Sequence, residues 1–149
     1  MKAIKHIIAV TILTLACSGY ASASGWTTNL ESALASAKKN KKFVLAQFTG
    51  SDWCPPCIMM HKEVFSKSSF TRPVSNKFIL VKLDMPKSNK SLTLKNRKIM
   101  RDHKVTGVPF ILLFGDDGRE FSRFGAAEYP TVDGFIDKLR EELKKKKMD

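Results

Sequence analysis

Phe43-Val44-Leu45-Ala46-Gln47-Phe48, then Thr49-Gly50-Ser51-Asp52-Trp53, then Cys54-Pro55-Pro56-Cys57 is the stretch from which the fold can be read. The first six residues are short, apolar and β-rich, as a buried strand should be. The next five form a polar loop with Gly50 in it. Pro55 suits a first helical turn, because the N–H it lacks would be unpaired there anyway. A helix is therefore predicted from Cys54 to about Phe65. Strand, loop and helix follow directly on one another, with two cysteines at the loop–helix junction. The C-terminal ends of strands are where α/β sheets tend to place their sites.

The flanking sequence repeats this alternation. Thr28 or Asn29 can cap a helix through about Asn40, with Leu30, Ala33, Leu34 and Ala37 at helical spacing. Lys38 to Lys42 closes it with charge that suits the C-terminal end of the helix dipole. Ser68 to Val74 reads as a short helical turn interrupted at Pro73, Phe78 to Leu83 as a second core strand, and Leu92 to His103 as a helix. Val108-Pro109 precedes a third strand, Phe110 to Phe114. Gly115-Asp116-Asp117-Gly118 turns it into Arg119–Phe124, a hairpin. Thr131 caps a last helix with Phe135, Ile136, Leu139 and Leu143 inward. The predicted class is α/β: a central mixed sheet, flanked by helices and closed by an antiparallel hairpin.

Composition agrees with one such domain. The chain has 149 residues, 43% hydrophobic and 27% charged, which supports a core and excludes wholesale disorder. Three cysteines are too few for a disulfide-dense scaffold or a four-thiolate zinc site. No nucleotide or flavin fingerprint is present, so no organic cofactor is expected. The net charge is +12, but no aromatic–basic motif accompanies it, so nucleic acid is not an expected partner.

The N-terminus changes the count of residues that matter. Lys2 and Lys5, an apolar run from Ile7 to Ala16, and Ala21-Ser22-Ala23 are the parts of a secretory signal peptide. The competing reading, an N-terminal helix of the domain, lacks the polar face a surface helix needs. Residues 1–23 are therefore expected to be removed, leaving 24–149 as a single domain outside the cytoplasm. Cleavage after Ala23 takes away two lysines, one histidine and Cys17. It leaves 126 residues, a charge of +10 and one cysteine pair. Leu13-Thr14-Leu15-Ala16-Cys17 also resembles a lipoprotein signal, in which Cys17 would carry the anchoring lipid.

Two cysteines separated by two residues at a helix start can divide a reaction between them. Cys54, at an exposed helix N-terminus, is the expected nucleophile, since free N–H groups and the dipole stabilise its thiolate. Cys57, one turn inside and shielded, is expected to resolve the mixed disulfide by attacking Cys54. Zinc would need a second ligand pair beyond His61 and His103, and c-type haem attachment fails because Ile58 stands where His is required. A purely structural bridge would close so short a loop that it removes little unfolded-state entropy. No metal is therefore assigned. Met59, Met60 and His61 suggest copper handling, against which stands the simpler reading of packing plus one exposed His.

Together, Phe43–Phe48, Trp53-Cys54-Pro55-Pro56-Cys57, Phe78–Asp84 and Val108-Pro109 before a hairpin and final helix resemble the thioredoxin superfamily. The likeness spans about Gly25 to Lys144. Phe48 to Cys54 looks most like secreted bacterial members of the disulfide-bond (Dsb) group, which includes a small chlamydial periplasmic oxidoreductase, and this likeness implies a periplasmic location. The resemblance implies that Pro109 is cis, opens the third core strand and lies against the cysteines. Val108 is then turned outward, where its backbone could pair with an extended substrate strand; a trans Pro opening an edge strand is the plainer alternative. Trp53 would flank the nucleophile with an apolar face, or would be simple packing. Lys82 matches the family's usual lysine. Two positions depart from the pattern. Gln47 stands in place of a buried Asp and cannot act as a base, leaving water or Lys82 for the proton of Cys57. Lys62 replaces the Pro that usually bends the active-site helix.

The direction of exchange depends on the Cys54 thiolate. Pro55 and Pro56 lack N–H donors, no His lies between the cysteines, and Asp52 adds a negative charge nearby. These terms predict a potential nearer the thioredoxin end of the range, about −270 mV, than the strongly oxidising end, about −120 mV. A reductase or isomerase is therefore expected rather than a primary oxidase. It would act on substrate proteins with disulfides and draw electrons from a membrane donor that the sequence does not identify. Lys144, Lys145, Lys146 and Lys147 read as a solvated helix end, or as a weak attraction to anionic surfaces. The rival functional class is a non-catalytic binding or metal-handling domain on the same fold.

Overall fold

A computed structural model describes residues 25–148. The expected signal peptide, its expected cleavage site and Cys17 lie outside the described residues. The elements are β1 (Trp26–Thr27), α1 (Leu30–Asn40), β2 (Phe43–Thr49), α2 (Pro55–Met60), a π-helical turn (His61–Phe65), α3 (Ser68–Ser75), β3 (Phe78–Asp84), α4 (Lys90–Asp102), β4 (Phe110–Phe114), β5 (Glu120–Gly125), a 3-10 turn (Ala126–Glu128) and α5 (Val132–Met148). The five strands form one sheet in the order β1-β3-β2-β4-β5. β1, β3 and β2 run parallel, whereas β4 is antiparallel to β2 and β5 to β4.

β2 is the central strand, and its alternation feeds two cores. Leu45 lies beside Leu80 on β3 and Leu113 on β4, and all three face Met60, Val64, Phe65, Phe70 and Phe135. Val44, Ala46 and Phe48 point the other way, onto Leu30, Ala33 and Ala37 of α1. Both faces of β2 are covered, which explains why Phe43 to Ala46 form an unbroken apolar run instead of alternating with polar residues. Helix signals also act where the residues place them. Asn29 accepts the Ser32 N–H at 3.1 Å, Asn89 accepts that of Leu92 at 3.0 Å, and Thr131 that of Gly134 at 3.2 Å.

Three features differ from the sequence expectation. β1 was not foreseen, because two residues are too few to show alternation; it adds an edge strand through Trp26 opposite Leu80. The α3 helix continues through Pro73 to Ser75 instead of breaking there. Pro73 forfeits one backbone bond close to the helix end, while Phe70 and Val74 on the same face are buried. Finally, the helix after the cysteines is not uniform. At His61 it widens into a π turn closed by the Ser66 N–H to the His61 carbonyl at 2.9 Å. This irregularity occurs in a helix that lacks a bending proline, with Lys62 inside the widened turn.

Candidate active site

β2 ends at Thr49, and residues 50–53 fold back over the end of the sheet. The Gly50 carbonyl accepts the Cys54 N–H at 3.0 Å and the Trp53 N–H at 3.4 Å. A Cβ on Gly50 would collide with the Trp53 indole, so glycine is what lets the ring lie against the loop. The indole N–H donates to the Met85 carbonyl at 2.7 Å, beyond the end of β3. That bond fixes Trp53 with 38% of its surface exposed.

Two carboxylates tie the loop from below. Asp84, the last residue of β3, accepts the backbone N–H of Ser51 at 3.0 Å and its hydroxyl at 2.5 Å. Asp52 accepts the N–H groups of Lys87 and Ser88 at 2.9 and 3.2 Å. The Lys87 amide above all holds the Asp52 carboxyl below the ordinary carboxylate range. Asp52 remains charged, as the sequence implied, and that charge fastens the loop to residues 87–88.

Cys54 is the N-cap of α2, and Pro55 and Pro56 fill its first turn. The Cys57 N–H, the first amide the helix start can offer beyond those prolines, donates to Cys54 Sγ at 3.3 Å. Cys54 and Cys57 are joined as a disulfide. Cys54 is 3% exposed and Cys57 1%. The expectation of an exposed Cys54 is therefore corrected for this oxidised state. Its sulfur turns inward, onto the helix start and its partner, and Trp53 is the residue left at the surface.

The Val108–Pro109 peptide bond is cis. The Val108 carbonyl oxygen lies 3.9 Å from Cys54 Sγ. The Pro109 carbonyl is taken by the Ala126 N–H at 3.0 Å, which moors this loop to the 3-10 turn after β5. Thus Trp53, Cys54, Pro55, Pro56, Cys57, Val108 and Pro109, spread over more than fifty positions of sequence, gather at one end of the sheet.

Gln47 and Lys82 are direct neighbours across β2 and β3, on the sheet face that carries Leu45 and Leu80 toward α2. Gln47 is 2% exposed. Lys82 Nζ lies 3.6 Å from an Asp84 carboxylate oxygen. Asp84 is the site residue that sequence reasoning missed. Its position two residues after Lys82, on the same face of the same strand, was the signal available. Asn96 of α4 was missed too: it is buried and donates to the Asp84 carbonyl at 2.6 Å, holding the end of β3. Met59, Met60 and His61 do not form one ligand set, since Met60 is buried in the core while its two neighbours are exposed. The terminal lysines also divide. Lys145 pairs with Glu141 and Glu142, Lys146 sits over the Phe121 ring, and Lys144 and Lys147 line a basic groove with Lys41, Lys77 and Arg140.

A parallel–antiparallel sheet of this order, with a redox-capable Cys-x-x-Cys at a helix start beside a Val-Pro loop, defines a thiol–disulfide oxidoreductase of the thioredoxin type. The chain belongs to the family of thioredoxin-like domains, which matches it over residues 30–142. It is 30% identical over 122 residues to the disulfide bond reductase DsbH of Chlamydia pneumoniae, covering 80% of this chain and 72% of that protein. The thioredoxin-related protein DsbJ of the same organism is 27% identical over 117 residues, but this chain spans only 34% of its length. A solved structure of a DsbH oxidoreductase superposes with a TM-score of 0.70 at 30% identity, covering 80% of this chain and 83% of that one. These likenesses make the chain a Dsb-type oxidoreductase that works through its Cys54–Cys57 disulfide.

Proposed function

We propose that this chain is a periplasmic disulfide reductase or isomerase, with Cys54 as nucleophile and Cys57 as resolving cysteine. The observation that carries the reading is the position of Cys54 Sγ, 3.3 Å from the Cys57 N–H and 3.9 Å from the Val108 carbonyl. In the reduced protein the Cys54 thiolate attacks one sulfur of a substrate disulfide, and the other leaves as a thiolate that takes up a proton. The Cys57 thiol gives its proton to water, then attacks Cys54 and releases the second substrate thiol. Two electrons pass to the substrate, and a membrane donor returns them to the oxidised pair. Trp53 and the backbone of Val108 flank the substrate, while Pro109 shapes the approach and Pro55 and Pro56 set the helix start. Gln47 stands under the helix without acting as a base.

The reducing direction is supported by the scarcity of donors on Cys54. Two prolines withhold N–H groups, leaving the Cys57 amide to stabilise a thiolate. The name of the related disulfide bond reductase points the same way. Export follows from the signal-like residues 1–23, with Cys17 lipidation as the second form of export. Among the described residues no helix is long and apolar enough to cross a membrane. Any contact with an anionic surface falls to Lys144 and Lys147 with their groove partners, since Lys145 is paired with acids.

Trapping tests this reading. Cys57→Ser should stall the mixed disulfide and capture substrate and donor as adducts that a reducing agent releases, while Cys54→Ser captures none. Equal capture by Cys54→Ser, or insulin disulfide reduction undiminished by that change, would contradict it.

A further inference from the structure

The reactive end of the molecule continues into a groove of about 520 Å³ that lies between the active-site loops and α4. Its walls are of two kinds. Trp53 and Val108, the residues on either side of Cys54, line it together with Met100 and Val105, and these are apolar. Arg97 and Arg101 line it as well. They sit four residues apart on α4, so they project from one face of the helix, one turn apart.

Both arginines are exposed. Among the described residues neither guanidinium has a carboxylate within ion-pair distance or makes a hydrogen bond, and Arg101 acts on the neighbouring Asp102 only through space. The acids nearby are already committed. Asp102 is held by Lys98 at 2.7 Å, Asp84 by Ser51 and Lys82, and Asp52 by the amides of residues 87 and 88. A groove lined by the two residues that flank Cys54, and carrying two guanidiniums without a hydrogen-bonded carboxylate, suits an extended chain with carboxylates beside its half-cystine. Arg also favours this role by shape, since its planar fork can take a carboxylate through two parallel bonds.

Resting on the exchange reading above, we propose that Arg97 and Arg101 select acidic substrate segments. In such a segment one half-cystine meets Cys54, an apolar side chain lies on Trp53 and Met100, and following Asp or Glu residues pair with the two arginines. Exposed pairs of this kind act more on encounter and orientation than on tight binding, so the preference belongs in the rate of attack and weakens as salt is added.

The test uses the reduced chain and three peptides, each carrying one cysteine activated as a neutral thiopyridyl disulfide. They differ only in the two residues after the cysteine: two Asp, two Asn or two Lys. Thiopyridone release gives the second-order rate constant. In low salt the Asp peptide should react about tenfold faster than the Lys peptide, with Asn between, as expected for two partly solvated charge pairs made or reversed. The ratio should collapse to within about twofold in R97Q/R101Q, and shrink for the unaltered chain as salt is raised. Changing Lys144–Lys147 to Gln removes more charge at the other end of the sheet and should leave the ratio in place. Equal rates for the Asp and Lys peptides, an undiminished ratio in R97Q/R101Q, or an equal loss on changing the terminal lysines would overturn the proposal. Hydroxyethyl disulfide, small and uncharged, separates the two readings. If the unaltered chain reduces it but shows no charge preference, only the selection by Arg97 and Arg101 fails. If the chain does not reduce it, the exchange reading fails and takes this one with it.

Discussion

At the scale of single residues, the site depends on which donors reach one sulfur. Pro55 and Pro56 occupy the positions where a helix start would present free N–H groups, and the Cys57 amide is what remains for Cys54. Pro56→Ala restores a donor at the second helical position. One charge-assisted bond of about 1.5 kcal/mol would lower the Cys54 thiol pKa by about one unit. Because the thiolate belongs to the reduced form, the potential should become more oxidising by about 30 mV. Thiolate absorbance against pH and equilibration with glutathione check the two shifts, and an unchanged thiol pKa would show that the prolines do not set it. Gly50 makes a different kind of prediction. Gly50→Ala drives a methyl group into the Trp53 ring, so the indole must leave the Met85 carbonyl or the loop must move. A loss of about 1–3 kcal/mol and a changed Trp53 emission are expected in denaturant unfolding followed by fluorescence. The cysteine pair was legible in the sequence because its spacing carries chemistry, and Trp53 and Val108-Pro109 because they complete the resemblance to the thioredoxin superfamily. Asp84 was not, since a carboxylate at the end of a strand looks like any polar boundary until Ser51 is seen folded over it.

At the scale of elements, two strands of reasoning meet in β2 and α5. The apolar residues of β2 serve one or other of the two cores, and Leu45 is fully buried among Leu80, Leu113 and the helices beyond. Leu45→Ala should cost about 2–5 kcal/mol in chemical denaturation. A loss below 1 kcal/mol would mean that the core does not depend on the central strand as its burial implies. On α5, Glu142 is buried, which alone would raise its pKa, but bonds from Lys138, Ser122 and Lys145 bring it from 4.5 down to about 2. The folded state therefore holds this carboxylate ionised where the unfolded chain would protonate it. Its stabilisation is present above about pH 4.5 and is lost as pH falls toward about 2. Glu142→Gln should flatten the stability profile across that window and cost about 1–2 kcal/mol at neutral pH. An unaltered profile would place the acid sensitivity elsewhere. Long apolar or amphipathic elements were readable from periodicity alone. β1 and the π turn were not: one is two residues long, and the other depends on how α2 meets the core, which no local pattern encodes.

At the scale of the whole molecule, the fold assigns different tasks to the two ends of its sheet. The C-terminal ends of β2 and β3 carry the dithiol, the exposed Trp53 and the Arg97–Arg101 groove. The opposite end carries Lys41, Lys77, Arg140, Lys144 and Lys147 around a separate basic groove. Positive charge among the described residues thus gathers both beside the site that handles disulfides and on a remote cationic face, which composition alone could not separate. The central claim is that this architecture holds Cys54–Cys57 as a reductant, because a helix start stripped of N–H donors stabilises the thiolate only weakly. The most direct measurement is the equilibrium of that pair with reduced and oxidised glutathione, read from the fraction of free thiols. The account predicts a potential nearer about −270 mV than about −120 mV, and a value at the oxidising end would contradict it.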